Sequence, residues 1–339
     1  MICYDESYLV NLKSHLCIFP KYSVYEVMSA SGSYEMILKA ELLKIIPALC
    51  STSHKGSCGR VGVIGGSQEY TGAPYFAAIA ALKCGADLSH VFCPTPAASV
   101  IKSYSPDLIV HPLLGCGSGN VPIAPLQPWF ERLHSTVLGP GLGRDLEPQS
   151  VLSIVQSVLD LHLPLVIDAD GLYYIGEMSQ VIFGKKNVVL TPNIVELKRL
   201  EKAVGVDEDV TGIEDRIKQL CQHLGGVTLV CKNTEDVISD GELVLKCTQE
   251  GSNRRCGGQG DLLSGSLATF LAWCSKVQST SISPTLLASY AGCCLIRETN
   301  RLGFSKHGRG LVTQDMISFI PQAFSNLFEN FKCPPVFGE

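Results

Sequence analysis

The chain has 339 residues, enough for one large or two ordinary domains, and its 46% hydrophobic and 17% charged residues suit a large buried core. A formal net charge of −5 leaves no basic footprint and argues against nucleic acid as a main partner. Fifteen cysteines are scattered, odd in number and without a C-x-x-C pair, which argues against a disulfide framework or a zinc site and for a reducing compartment.

Residues 1–34 mix Cys, Tyr, Ser and charges without a period and are read as an N-terminal extension whose order is left open. They carry no charged leader before an apolar core and are not Arg-rich, so neither a secretory signal nor a mitochondrial presequence is expected. A cytoplasmic location is therefore expected, with the mitochondrion as the alternative. No run of about 18 apolar residues occurs, so no membrane span or membrane partner is expected. Residues 35–332 are read as one catalytic domain.

Tyr34–Ile46 has a helical apolar pattern, and Lys55–Gly59 reads as the loop entering the fold. From Arg60 the chain alternates apolar strands with helices: strands at Arg60–Ile64, Leu88–Phe92, Leu108–Val110, Thr136–Leu138, Pro164–Ile167 and Val188–Leu190, with helices such as Ala73–Cys84 and Gln149–Leu161 between them. That alternation means parallel βαβ units covered on both faces. Val227–Cys231, Asp236–Ser239 and Leu243–Cys247 are too closely spaced for crossovers, so the sheet is expected to end in an antiparallel hairpin. Helices follow at Leu262–Cys274, Thr285–Asn300 and Thr313–Phe331. The fold class is α/β, a three-layer α/β/α arrangement with a mostly parallel central sheet.

Open sheets of this kind bind ligands at the C-terminal strand ends. Gly65–Pro74 there is neither a P-loop nor a dinucleotide fingerprint. It is either a plain connection or a loop whose Tyr70 covers a substrate. Gly139-Pro140-Gly141-Leu142-Gly143 lets a ring or phosphate approach the main chain. Asp168 and Asp170 place two carboxylates at a strand end, where metal or ribose contact and helix capping are both open. Asn193 and Glu196, three apart at a helix start, fit a reciprocal capping box or a Glu holding the water shell of Mg²⁺. Lys232 either balances phosphate charge or belongs to a solvated hairpin approach.

The sharpest stretch is Arg254-Arg255-Cys256-Gly257-Gly258-Gln259-Gly260-Asp261. Its three glycines allow φ > 0, and backbone amides at a glycine-rich helix start form an anion site. A carboxylate beside that site, Asp261, is either a helix cap or a general base for a hydroxyl attacking a phosphoryl group.

GGQGDLLSG with the preceding RRC resembles the signature of the ATP-dependent NAD(P)H-hydrate dehydratases of the ribokinase-like superfamily, and GPGLG and TPNxxE match the same family in the same order. The resemblance implies a ribokinase-like fold and dehydration of the S epimer of hydrated NADH or NADPH (NADHX, NADPHX) at the expense of ATP, with Mg²⁺ as cofactor. It implies Asp261 as the catalytic base. NAD(P)HX binding falls to Gly141, Asn193, Ile194, Val195, Glu196, Leu197, Lys198, Arg199 and Asp261. ATP binding falls to Lys232, Asn233, Thr234, Glu235 and Asp236, and to Gly251, Ser252, Asn253, Arg254, Arg255, Cys256, Gly257, Gly258, Gln259 and Gly260. Glu196 is the expected indirect Mg²⁺ contact, through water. Ile194 departs from a His, Leu197-Lys198 from Phe-Ser, and Asn233 from a Gly whose turn an Asn tolerates in the left-handed region. The implied functional partner is a separate NAD(P)HX epimerase, and a homo-oligomer is left open. Two rivals stay open: a small-molecule kinase of the same superfamily acting on pyridoxal, hydroxymethylpyrimidine or a sugar, and a non-catalytic nucleotide-binding protein.

Overall fold

In a computed structural model the described residues are 33–49, 51, 54–115, 119–206, 212–277 and 280–329. The expectation for segment 1–34 thus lies outside the described residues, save that Ser33 and Tyr34 open the leading helix α1, Ser33–Ile45.

Among the described residues nine strands form one sheet in the order β3-β2-β1-β4-β5-β6-β7-β8-β9. β1 (Arg60–Ile64), β2 (Leu88–Cys93), β3 (Ile109–Pro112), β4 (Ser135–Leu138), β5 (Leu165–Ile167), β6 (Val188–Leu190) and β7 (Thr228–Cys231) all run parallel. β8 (Asp236–Ser239) and β9 (Val244–Cys247) close the edge as antiparallel strands, as their close spacing required. The parallel strands are short and almost wholly buried, the pattern of a sheet covered on both faces.

Successive side chains of a strand point to opposite faces, and the core accordingly divides in two. On one face Val61, Val63, Val137 and Val166 pack with α1, α2 (Gly72–Cys84) and two late helices, α9 (Gln259–Cys274) and α10 (Pro284–His307). On the other, Ile64, Leu138, Ile167 and Leu190 pack with α5 (Pro148–Asp160), α6 (Asp170–Glu177), α7 (Ile194–Val204) and α8 (Ile213–His223). The connections α3 (Thr95–Tyr104) and α4 (Gln127–Phe130) complete the first half. The expected helix Thr313–Phe331, whose last two residues lie outside the described ones, is instead broken into α11 (Thr313–Met316), a single turn at Ile317–Phe319, α12 (Ile320–Phe324) and a last turn at Ser325–Glu329. Pro321 lacks an amide hydrogen and crowds the preceding turn, so it starts a new helix rather than extending one. Among the described residues no helix is long and apolar enough to cross a membrane.

A buried histidine pair ties β2 to β3. His90 Nδ1 lies 3.0 Å from His111 Nε2, with the rings nearly coplanar in a stack capped by Trp129. Burial first, then the neighbouring His90 and Lys102, pushes His111 from its ordinary 6.5 down to about 4. Burial, then Arg60 and Arg132, lowers His90 as well. The native state therefore resists protons that the unfolded chain accepts, so stability is full above pH 6.5 and drains as pH falls towards 4. Melting curves of the wild type and His111→Gln between pH 7 and pH 4 are expected to show a steeper acid loss for the wild type. Parallel slopes would remove the pair from the acid response.

Candidate active site

The functional residues meet at the C-terminal ends of β4 to β7, on the loops that leave each strand. β5 ends at Ile167, and Asp168 follows it with only 1% of its surface exposed. The chain then turns sharply through Ala169, whose φ of +47° is rare for a residue with a side chain, and Asp170 opens α6. Asp168 and Asp170, which an extended strand would have aimed the same way, thus face different partners. Asp168 Oδ1 accepts a 2.7 Å hydrogen bond from Lys232 Nζ. Asp170 Oδ2 accepts one of 3.0 Å from the Gly143 amide. Neither caps α6 through its side chain.

β6 delivers Asn193 and Glu196 in a complete capping box. Asn193 Oδ1 accepts from the Val195 and Glu196 amides at 2.9 Å, and Glu196 Oε2 accepts from the Asn193 amide at 2.8 Å. Capping does not consume the whole carboxylate, because the same Glu196 oxygen lies 3.8 Å from Lys232 Nζ. β7 delivers Lys232, whose amide bonds to Pro192 O at 2.9 Å and so stitches its loop to the start of α7. Asn233 is not in the left-handed region. Its turn is held by Asp236, which accepts the Asn233 amide at 3.1 Å, so the expected glycine-like geometry is not what preserves it.

α9 supplies the last wall. Its N-cap is Gly258 at φ +93°, where a Cβ would come within 2.8 Å of the Phe76 ring; of the three expected flexible glycines it alone needs this conformation. Asp261 sits in the first turn of α9 and is not its cap, which disposes of the capping reading. Gly260 brings the helix start against the ion pair: a Cβ there would lie 3.4 Å from Lys232 Nζ and 3.9 Å from Asp168 Oδ2. Burial, then the negative charge of Asp168, raises Asp261 well above the usual carboxylate range; Lys232 pulls the other way. Lys232 keeps its proton more firmly than a free lysine: burial works against its charge, but Asp168 and Glu196 more than offset it. Three carboxylates around one ammonium gather opposing charges at the start of α9, a setting that marks a candidate functional site.

Beside this cluster lies a cleft of about 540 Å³, walled by the β7–β8 turn, the stretch before α9 and the middle of α10. Of residues 232–236 all but Glu235 line it, and of residues 251–260 Gly251, Arg255, Cys256, Gln259 and Gly260 do. Arg254 is turned instead to Leu311 O at 3.1 Å, and the Gly257 carbonyl accepts from Thr313 Oγ1 at 2.6 Å, so both shape the loop from behind. Ser252 contributes through its amide, held by Asn300 at 2.6 Å.

A chain with this fold and this cluster matches the family model described as NAD(P)H-hydrate dehydratase over residues 61–322. The chain belongs to the NAD(P)H-hydrate dehydratase family. A human protein named ATP-dependent (S)-NAD(P)H-hydrate dehydratase is 51% identical over 295 residues, covering 84% of this chain and 83% of its own length. One of the same name from Ciona intestinalis is 46% identical over 319 residues, covering 93% and 88%. Among solved structures, an ADP/ATP-dependent NAD(P)H-hydrate dehydratase from Bacillus subtilis, co-crystallised with ATP/Mg²⁺, shares the fold with a TM-score of 0.65 at 19% identity, covering 85% of this chain and 97% of its own.

Within this dehydratase fold the residues expected at the substrate are dispersed. Asn193 lines the nucleotide-sized cleft, whereas Glu196 and Arg199 line a second cavity on the other side of the cluster. Gly141, at φ +60°, has no room for a Cβ because Tyr70 and Ala73 press against it, which sets the GPGLG loop under the Tyr70 loop. The Leu197 side chain is fully buried in the core and not in the cleft. Val195 and Lys198 are exposed, and Ile194 is half-buried.

Arg297 and Asn300 on α10 were missed by the sequence reading. Arg297 donates to Asp236 Oδ2 at 2.7 Å, Thr234 O at 2.7 Å and Asn233 O at 2.9 Å, clamping the whole β7–β8 turn. The available signal was a cluster of polar residues, Arg297, Glu298 and Asn300, inside an otherwise apolar helix.

Proposed function

We propose that the chain removes water from the S epimer of NADHX and NADPHX with consumption of ATP, returning NADH or NADPH, ADP and phosphate. The observation that carries this is the place of Asp261 in the first turn of α9, next to Gly260, which both lines the nucleotide-sized cleft and lies against the Lys232–Asp168 pair. ATP lies in the cleft with its terminal phosphoryl group at the start of α9, where unpaired amides and the helix dipole favour anions.

The C6 hydroxyl of the hydrated ring is a poor leaving group. Asp261 takes its proton as the oxygen attacks the γ-phosphorus and the bond to ADP breaks, a role worth ~10²–10⁴ in rate. Well-placed amide donors at the Gly257–Gly260 turn contribute about 2.7–4 kcal/mol each to the charge on the transferred group. The ring nitrogen lone pair then expels phosphate from C6, and loss of a C5 proton restores the C5–C6 double bond.

Among the described residues no group of three His, Cys, Asp or Glu is arranged to cage a metal. Glu196, whose carboxylate faces Lys232, would be the residue to hold the water shell of Mg²⁺, an ion that tends to keep its waters. When bound, Mg²⁺ offsets phosphate charge. Supply of the S epimer from the R epimer calls for a separate epimerase activity.

The test mixes protein, NADHX, ATP and Mg²⁺ and follows reduced-nicotinamide absorbance together with ADP. Equal rises, each dependent on both substrates, are expected. ADP formation with pyridoxal, hydroxymethylpyrimidine or a sugar while NADHX stays intact would make the protein a kinase on the same fold.

A further inference from the structure

The peptide between Gly257 and Gly258 is the least constrained in the stretch before α9. Neither residue has a side chain to choose its orientation, and Gly258 already uses that freedom at φ +93°. In a planar trans peptide the C=O and the following N–H point opposite ways. Turning this one plane would exchange a donor for an acceptor at the anion site, so something outside the stretch has to hold it.

Thr313 holds it. It opens α11 with 2% of its surface exposed, and its Oγ1 donates to Gly257 O at 2.6 Å. Its methyl presses on the next residue: a Cβ on Gly258 would lie 3.1 Å from Thr313 Cγ2. The threonine is itself fixed from both sides. Asp315 Oδ2 accepts the Val312 amide at 3.1 Å, and Arg254 Nε donates to Leu311 O at 3.1 Å, tying the start of α11 to the head of the glycine stretch. A hydroxyl has one hydrogen and Gly257 takes it, so the Cys256 thiol, 3.4 Å away, is the donor to Thr313 Oγ1. The Cys256 sulfur in turn accepts from Gln259 Nε2 at 3.1 Å. Gln259, Cys256, Thr313 and Gly257 thus form a chain of hydrogen bonds running one way, each polarising the next. Among the described residues no protein acceptor meets the Gly258 amide at the other end of the peptide. Cys256, Gln259 and Gly260 line the nucleotide cleft and Thr313 does not, so the hydroxyl stands behind the stretch and the amide opposite it faces forward.

We propose that Thr313 is a positioning residue for phosphoryl transfer, which holds the Gly257 carbonyl back and so aims the Gly258 amide at the γ-phosphoryl group. The assignment deepens the dehydratase reading and rests on it. A donor aimed where charge develops acts on the transition state more than on bound ATP, so its loss falls on kcat and not on KM.

Thr313→Val keeps the shape and the methyl contact and deletes the proton. Its kcat is expected to fall about tenfold to a hundredfold, with the KM for NADHX and for ATP and the melting temperature near those of wild type. Thr313→Ser, which restores the hydroxyl and drops the methyl, is expected to regain most of the loss. ADP with Mg²⁺ and aluminium fluoride, a planar stand-in for the group in flight, should bind the valine variant more weakly by the same factor, while the non-hydrolysable ATP analogue AMP-PNP binds as before. If the valine variant melts early, Thr313→Cys, a poor donor of similar bulk, takes its place with the same expectations. Wild-type kcat without the hydroxyl, a serine variant as slow as the valine one, or equal weakening of the fluoride complex and AMP-PNP would overturn the role. Wild-type protein that leaves NADHX untouched would sink the dehydratase reading instead, and the ratio of the two nucleotide affinities would still decide Thr313.

Discussion

Asp261→Asn is expected to lose between two and four orders of magnitude in kcat while ATP binds as before, the scale set by removing a general base. The same change is expected to make the protein more stable at neutral pH. The native state holds a proton on Asp261 up to a higher pH than the unfolded chain does, because burial and Asp168 oppose its charge. Across that interval the fold binds more protons, so its stability falls as pH rises above the ordinary carboxylate value. Asparagine carries no charge and escapes this cost. Melting temperatures of wild type and variant should therefore diverge in favour of the variant at pH 7 and converge below pH 4. Wild-type kcat should fall on the acid side with an inflection above the usual carboxylate range. Turnover surviving within a few-fold would remove Asp261 as the base, and an unchanged melting temperature at pH 7 would contradict the electrostatic argument.

Lys232→Met is expected to act on the fold and the chemistry together. Asp168 is almost fully buried and accepts from the Lys232 ammonium at 2.7 Å. Breaking such a pair strands a charge in the interior, at a cost of about 3–5 kcal/mol. Methionine keeps the bulk of the stem, so the loss reports charge rather than a cavity. With Lys232 gone, nothing opposes the negative neighbours of Asp261, and the base holds its proton still more tightly. Urea denaturation should place the single variant well below wild type, and the double variant Lys232→Met with Asp168→Asn should recover most of the difference. Neither should recover activity. A single variant as stable as wild type would show that water reaches Asp168.

The parallel sheet was legible because each strand is a short apolar run bounded by turn residues, and its observed limits differ from the expected ones by a residue or so, as at Thr228–Cys231. The antiparallel edge was legible from spacing alone. What the sequence hid is what depends on partners distant in the chain. Asp168 and Asp170 left metal contact and capping equally open, since the reversal at Ala169 and the pairing with Lys232, 64 residues on, are properties of the folded sheet. Arg297 reads as one charge among several on a helix until its three acceptors on the β7–β8 turn are seen. The capping box and the Mg²⁺ reading of Glu196 were weighed as rivals. The structure shows the box formed and one of the Glu196 oxygens 3.8 Å from Lys232, so the capping half of that pair is what the fold displays.

The order in which the chain is made gives the Asp168–Lys232 pair another meaning. Domains begin to fold from the N-terminus during synthesis. When the ribosome has released β5, Asp168 has neither its counter-charge, which arrives with β7, nor the wall that the start of α9 later sets against it. Without that ammonium the carboxylate keeps its water, and the half-made sheet stays open at its centre. Closure of the middle of the molecule thus waits for the segment that also begins the nucleotide cleft, so a truncated chain ending before Lys232 lacks both the seal on its core and the means to bind.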